Sequence, residues 1–371
     1  MGKSHTHGPM TKKRIQKIFE DSGELEAIVL LNAGEPYQDM GFFYTTGLTE
    51  GLFESCMTIL YPDSSLEMVS SFLEATSAKK GNFDVTVFKS KSERLDIFKE
   101  KLSGFSKIGI NHGGLLFKSY LELKDLVPNA EFVDVSESIN KARMVKDKEE
   151  IDIMRKACQI VSDVAIEIQD FIKEGVKEYE VAAELSYLMQ KKGATGPSFD
   201  TISSFAANTA EPHYTAGDAV LKKGDFVLMD YGAKYKRYCS DITRTYICGE
   251  VTEKQKDLYE TVAKAQQMAL DMIKPGVNGK DIHQAVYDYL ESTKYKGMFT
   301  HSTGHSIGLS VHDNSALTKE VDVILEENMV FTVEPGLYIP GYGGVRIEDD
   351  VRVTSDGVEI LTPATKEIVE L

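Results

Sequence analysis

The sequence predicts an α/β protein, α+β in overall plan, with a smaller domain over residues 1–140 and a larger one over 141–371 that is built twice from one pattern. Three observations carry this. The chain has 371 residues, beyond the roughly 250–300 at which a single hydrophobic core stops growing. Apolar runs of strand length alternate with helical patterns up to about residue 136. The remainder repeats itself at an offset close to 100 residues.

In chain order, a short helix reads from Lys12 to about Phe19. Strand candidates follow at AIVLLN (27–32), GFFYTTGL (41–48), MTILYP (57–62), LEMVSS (66–71), VTVFKS (85–90), KIGIN (107–111) and FVDVS (132–136). Helical segments fit at 93–103 and 115–126, which makes this part an α/β unit with a mixed sheet and no catalytic constellation of its own. SINKARMVKDKEEI (138–151) is charged and helix-prone. It leads into a long helix with Ile151, Met154, Ala157, Val161, Val164 and Ile168 on one apolar stripe, and the domain boundary belongs there.

Beyond it, IKEGVKEYEVAAELSYLMQKKG (172–193) is echoed by IKPGVNGKDIHQAVYDYLESTKYKG (273–297). Each is preceded by a long amphipathic helix, 149–171 and 254–272, and each is followed by a His and then an apolar strand ending in a carboxylate. In the first half these are His213 and FVLMD ending at Asp230; in the second, His312 and VFTVE ending at Glu334. Both strands continue through a Gly and an aromatic residue to a second acid, Asp241 or Glu348. Two such halves would pack about a pseudo-twofold axis with the four acids facing one another.

Composition removes other classes. With 42% hydrophobic and 27% charged residues the chain is an ordinary globular one, neither disordered nor fibrous. Its 58 Asp+Glu against 42 Lys+Arg give a net charge of −16, which speaks against nucleic acid and anionic membrane surfaces as partners. Apolar stretches such as Ala27 to Leu31 fall far short of the roughly 20 residues that span a bilayer, and the Lys-rich start leads into no apolar h-region. A cytoplasmic, non-secreted protein is expected. Cys56, Cys158, Cys239 and Cys248 form no CxxC pair, so neither a disulfide framework nor a zinc knuckle is predicted. His5 and His7 sit in a polar terminal stretch and are assigned no role, whereas His213, His301, His305 and His312 fall within 100 residues of one another.

An apolar strand that ends in Asp or Glu leaves a charge at a buried position, which costs several kcal/mol unless it is paired or metal-bound. Arg244 and Arg346 each lie two or three residues from an acid and offer part of the compensation. HSTGHSIGLSVHD (301–313) supplies imidazoles. It lacks the Glu of a zinc-protease helix and contains Gly304 and Gly308, so it reads as extended chain in which His305 points into a site, His301 supports it from behind and the glycines allow close backbone approach. One imidazole and four carboxylates form a hard, oxygen-rich set that balances two divalent cations among Mn²⁺, Co²⁺, Fe²⁺ and Zn²⁺. Two such ions about 3.5 Å apart activate water and polarise a carbonyl, so hydrolysis is the reaction expected.

At these residues the sequence resembles the dinuclear metallopeptidases of pita-bread fold, the group of prolidase, Xaa-Pro aminopeptidase and methionine aminopeptidase. The resemblance covers nearly the whole chain if residues 1–140 are the creatinase/prolidase-type N-terminal domain. It implies Asp230 in DYGA, Asp241 in SDITRT, His305 in HSTGH, Glu334 in TVEPG and Glu348 in VRIEDD as metal ligands, with Asp241 and Glu348 bridging two ions per subunit, Mn²⁺ or Co²⁺ foremost. It further implies His213 in EPHY and His312 in VHD as substrate-facing histidines, Glu334 also as proton shuttle, and Arg346 as the site arginine beside the bridging carboxylate. Thr243 and Thr332 resemble hydroxyls that orient ligands, the rival reading of Thr243 being simple β-propensity. Cys239, two before Asp241, is assigned to core packing.

The implied substrates are Xaa-Pro dipeptides or short peptides with proline second, and the implied assembly is a homodimer. Moderate length and a compact first domain look most like short microbial Xaa-Pro dipeptidases. Many prolidases keep an Arg a few residues after the second substrate histidine, and aminopeptidase P members usually carry a Gly-containing variant there; here HDNSAL places Ala316 there and matches neither, which leaves the exopeptidase subtype open, with Xaa-Pro aminopeptidase activity on longer peptides as the alternative. Methionine aminopeptidase has no need of a sheet-containing domain at 27–136, creatine amidinohydrolase lacks the five ligands, and a non-catalytic peptide-binding relative would not keep them all.

Overall fold

The computed structural model describes residues 9–371, so His5 and His7 lie outside the described residues. The chain divides into two compact units after Arg143.

The first unit begins with α1 (Pro9–Ser22). It continues through β1 (Ala27–Leu31), α2 (Met40–Thr46), β2 (Met57–Leu60), β3 (Leu66–Ser71), α3 (Ala75–Ala78) and β4 (Asp84–Phe88). It closes with α4 (Lys91–Leu102), β5 (Lys107–Ile110), α5 (Phe117–Leu126), β6 (Glu131–Asp134) and α6 (Ser136–Met144). The strands form one six-stranded sheet in the order β4-β3-β2-β1-β5-β6. It is mixed: β1 runs antiparallel to β2 and parallel to β5. Val29, Ile59, Val69, Phe98, Ile108 and Leu123 close its core.

One expectation fails here. Residues 41–48, read as a strand from their aromatic and Thr content, instead form the helix α2 up to Thr46 and its C-terminal cap at Gly47. Signals at both ends outweigh the β-propensity of its middle: the Asp39 side chain accepts the Gly41 N–H at 2.8 Å, and Gly47, at φ +67°, ends the helix by donating to the Phe43 carbonyl.

The second unit is made of two helix-pair-plus-strand halves. The charged run at 138–151 does not flow directly into the long helix: α6 ends at Met144, and α7 (Lys148–Glu167) starts anew at Asp147. Asp147 accepts the Glu150 N–H at 3.0 Å while the Glu150 carboxylate accepts the Asp147 N–H at 2.9 Å, a reciprocal cap. The first half continues with α8 (Glu178–Lys191), β7 (Gly196–Pro197), β8 (Ile202–Phe205), β9 (Phe226–Tyr231), β10 (Ala233–Tyr235), β11 (Tyr238–Cys239) and β12 (Ile242–Ile247). The second half has α9 (Glu253–Met272), α10 (Gly279–Glu291), β13 (Gly304–His305), β14 (Ala316–Leu317), β15 (Val330–Val333), β16 (Gly336–Ile339), β17 (Gly343–Arg346), β18 (Asp349–Val353) and β19 (Val358–Ile360).

β9 pairs antiparallel with β12, opposing Asp230 to Thr243. In the same way β15 pairs antiparallel with β18, opposing Thr332 to Asp350. Each half buries its own core. The helix stripe Ile160, Val164 and Leu185 packs with Val227 and Met229 in the first, and Leu258, Ile282 and Val286 pack with Phe331 and Val351 in the second. The halves are stitched where β12 meets the β17–β18 turn: the Glu348 N–H donates to the Thr243 carbonyl at 3.1 Å, and Arg244 Nη1 donates to the Glu348 carbonyl at 2.6 Å. None of the helices among the described residues is long and apolar enough to cross a membrane.

Candidate active site

The strand ends of the two halves converge on one cavity of about 630 Å³. His213, Asp230, Asp241, His305, His312, Glu334, Arg346 and Glu348 all line it, although His213 and Glu348 are 135 residues apart in sequence. One ligand atom each from Asp241, His305 and Glu348 lies within 4.8 Å of the others. Asp241 contributes from the start of β12, Glu348 from the turn before β18 and His305 from β13, so both halves supply donors.

Local chain geometry aims each group. Gly304 is required because a Cβ there would stand 1.9 Å from the Thr332 carbonyl oxygen; only glycine lets β13 press against β15 and carry His305 inward. The Thr332 hydroxyl accepts the His305 N–H at 3.0 Å and donates to Glu334 Oε1 at 2.9 Å, so one side chain sets both. The Thr243 hydroxyl donates to Glu348 Oε2 at 2.5 Å and accepts from Arg346 Nε at 3.1 Å, an arrangement that β-propensity alone does not account for.

The protonation pattern follows from the partners. His305 Nδ1 lies 3.1 Å from the Ser306 carbonyl, which can only accept, so Nδ1 carries the proton. Nε2 is left facing Glu334 Oε1 at 3.2 Å and Asp241 Oδ2 at 3.6 Å. A bare nitrogen lone pair aimed at two carboxylates is repelled unless a proton or a cation stands between them. In the metal-free chain a proton does so. Burial opposes it, yet the hydrogen bond and charge of Glu334 raise His305 to about 9. Glu334, despite its burial, is in turn lowered to about 2 by His305. Burial and then the charges of Asp230, Asp350 and Glu334 hold Asp241 well above the usual carboxylate range. Burial and then Asp241, Glu334 and Asp230 do the same to Glu348.

These residues fit divalent cations. Four carboxylates meet one arginine, and among the described residues Asp230 Oδ1 and Asp241 Oδ1 are buried with no hydrogen-bond donor. Buried carboxylate oxygens without a donor are costly, and a hard cation is the partner that such oxygens and a neutral imidazole suit.

Arg346 heads a relay. It donates from Nη2 to Asp230 Oδ2 at 2.7 Å and from Nη1 to Tyr338 Oη at 2.9 Å. Tyr338 Oη is 2.7 Å from His301 Nε2, and His301 Nδ1 is 2.7 Å from the Ser302 carbonyl. The carbonyl makes Nδ1 the donor, and burial holds His301 below the usual imidazole range, so Nε2 accepts from Tyr338. His301 thus backs the arginine rather than His305. His213 and His312 are exposed on the cavity wall, with the His312 ring centroid 4.3 Å from that of His305.

One sequence expectation shifts. Arg244 does not compensate the cavity acids; it is wholly buried and pairs with Asp349 at 2.7 Å, because the side chains of β12 alternate and its own points to the far side from Thr243. Cys239 is buried in line with its assignment to core packing: its thiol turns to the Leu309 carbonyl at 3.8 Å and does not line the cavity. Tyr338 and Asp350 escaped the sequence reading. The aromatic residue after the Gly of GLYI was the signal for the first, and the third consecutive acid of EDD for the second.

Two similar halves that place carboxylates and an imidazole about one cavity, in a chain that also carries a separate sheet-containing unit, define a metal-dependent peptidase. Residues 152–355 match the model of metallopeptidase family M24, and residues 12–145 match the creatinase/prolidase N-terminal domain. The chain belongs to metallopeptidase family M24. It is 35% identical over 359 residues to the Xaa-Pro dipeptidase of Pyrococcus horikoshii, covering 96% of this chain and 99% of that one. The structure of an Xaa-Pro dipeptidase from Bacillus anthracis superposes with a TM-score of 0.88 at 35% identity, over 97% of this chain and 99% of the other. An X-Pro aminopeptidase from Thermotoga maritima gives 0.90 at 30% identity, over 96% and 100%.

Proposed function

We propose that this chain is a prolidase, a dipeptidase that hydrolyses the bond between an N-terminal residue and proline. The observation that carries the proposal is the meeting of Asp241, His305 and Glu348 within 4.8 Å in a cavity that two exposed histidines, His213 and His312, overlook. Asp230, Asp241, His305, Glu334 and Glu348 would hold two divalent cations, Mn²⁺ or Co²⁺, with Asp241 and Glu348 shared between them. When bound, such ions lower the pKa of water and polarise a carbonyl. Glu334, oriented by Thr332, takes the proton of the attacking water and returns it to the departing proline nitrogen. His213 and His312 donate to the scissile carbonyl oxygen as charge develops there. Arg346, tied to Asp230, Thr243 and Tyr338, keeps the acids in register. The chain works in the cytoplasm as a homodimer.

A second reading, aminopeptidase P activity on longer peptides, is favoured by one feature. Arg346 is the sole Lys or Arg among the described residues lining the cavity, and its guanidinium is already tied to Thr243, Tyr338 and Asp230, while Ala316 occupies the wall. Turnover of Xaa-Pro dipeptides against Xaa-Pro-Xaa tripeptides by Mn²⁺-loaded protein separates the two. Cleavage of dipeptides alone supports the dipeptidase, preference for tripeptides the aminopeptidase, and no cleavage of either sinks both.

A further inference from the structure

The turn and strand that carry Glu348 bring three consecutive carboxylates, Glu348, Asp349 and Asp350, into the interior at 1%, 0% and 0% exposure. Each meets different surroundings. Glu348 lines the cavity. Asp349 is neutralised: Arg244 lies at 2.7 Å and Lys366 at 3.2 Å, with Gln266 and the Thr362 hydroxyl each donating at 2.9 Å. Asp350 pairs with no cation among the described residues. Its Oδ2 accepts the main-chain N–H of Asp241 at 2.8 Å and the thiol of Cys158 at 3.3 Å, and its Oδ1 is buried without a donor.

A buried carboxylate held only by an amide and a thiol contributes poorly to packing alone, since a neutral side chain of like volume would avoid the desolvation. What it does join is specific. Asp350 stands two residues from Glu348 on the second half, and the amide it grips belongs to Asp241 on the first. Its own backbone is fixed, its N–H donating to the Thr362 hydroxyl at 3.1 Å and its carbonyl accepting from Leu361 at 2.8 Å. The Cys158 thiol, on α7, holds Oδ2 from the other side. The spacing between the Asp241 and Glu348 carboxylates therefore depends on a bond that neither of them makes with its own side chain.

We propose that Asp350 is a positioning residue for the metal centre: by accepting the Asp241 amide it sets Asp241 against Glu348 before any cation arrives. The proposal rests on the reading of the cavity as a two-cation site, and partners that orient ligands in this way typically change metal affinity about 10–100-fold when removed.

The test is titration of chelator-stripped protein with Mn²⁺, followed calorimetrically and by the electron paramagnetic resonance signal of free Mn²⁺, with circular dichroism as the control for folding. Asp350→Ala should weaken Mn²⁺ binding by about 10–100-fold. Asp350→Asn keeps an acceptor oxygen at the same place and should stay close to the parent. A folded Asp350→Ala chain that binds like the parent, or an Asp350→Asn chain as weak as Asp350→Ala, overturns the proposal. If Asp350→Ala folds only when Mn²⁺ is supplied, the proposal is supported; if it stays unfolded at saturating Mn²⁺, Asp350 is a core residue and the proposal fails. A parent chain that binds no Mn²⁺ would instead overturn the two-cation reading itself, which keeps the two failures distinct.

Discussion

Arg346 and Asp230 meet at 2.7 Å with side chains only 3% and 13% exposed, one from the strand before Glu348 and the other from the end of β9. Each half of the second unit thus lends one member of the pair. Removing one partner of a buried pair typically costs about 3–5 kcal/mol, because the other charge is left desolvated and alone. Arg346→Met, which keeps bulk and removes charge, should lower the stability of metal-free protein by roughly 3 kcal/mol in urea unfolding. With Mn²⁺ bound the loss should shrink, since a cation then compensates Asp230. Arg346→Lys should recover little, as an ammonium cannot serve Asp230, Tyr338 and Thr243 at once.

Metal-free protein should lose stability as pH rises from about 6.5 to 9. His305, raised to about 9 in the folded chain, holds a proton there that the unfolded chain releases near 6.5, so its contribution is complete below 6.5 and gone above 9. Glu348 and Asp241, both raised, act in the same direction because the folded state binds the more protons. Each group changes stability by about 1.4 kcal/mol per pH unit inside its window. Glu334, lowered to about 2, adds stability that is lost only as pH falls below about 4.5 towards 2. Thermal unfolding in chelator across pH 6 to 9 should show a falling midpoint, and a midpoint that rises would contradict the assignment of the His305 proton.

Asp241 and His312 should separate metal binding from turnover. Asp241→Ala removes the carboxylate proposed to be shared, and purified protein should carry neither ion by elemental analysis. His312→Ala should retain both while kcat falls by about 10²-fold, the order expected for loss of one donor to a developing oxyanion. Metal loss in His312→Ala would move that residue from the substrate side to the ligand set.

Much of this site was legible because the chain is duplicated. The near-constant offset placed His213 with His312 and Asp230 with Glu334 as counterparts, and a strand that ends in an acid is rare enough to stand out twice. Two kinds of feature stayed hidden. Helix α2 was masked by residues that favour strands, although Asp39 and Gly47 marked both of its ends. The work of Asp349 and Asp350 depends on Arg244 and Asp241, more than 100 residues away, and no local pattern reports which way a buried acid turns. The same holds for Tyr338, whose hydroxyl gains its meaning only from Arg346 and His301.

Ala316 is the position on the cavity wall at which the treatment of a terminal carboxylate can be tested. It stands in β14 directly opposite His305 in the antiparallel register, on the cavity wall with Asn314 and Ser315. A dipeptide places its C-terminal carboxylate one residue beyond the scissile bond, and all three nitrogens of the Arg346 guanidinium are already tied to Thr243, Tyr338 and Asp230. An arginine at position 316 would add a fork of donors, and a charge-assisted hydrogen bond is worth about 1.5–3 kcal/mol, roughly 10–100-fold in affinity. The comparison that isolates this effect is Xaa-Pro against its C-terminal amide, Xaa-Pro-NH₂, since the two differ only in the charge at issue. Ala316→Arg should raise the ratio of kcat/KM for the free acid over the amide by at least about tenfold, with most of the change in KM because the carboxylate is bound alike in ground and transition states. Ala316→Gln, which is polar but uncharged and shorter, should leave the ratio near that of the parent. An unchanged ratio in Ala316→Arg would mean that the carboxylate does not pass this wall, and that the distinction between dipeptides and longer peptides is made elsewhere.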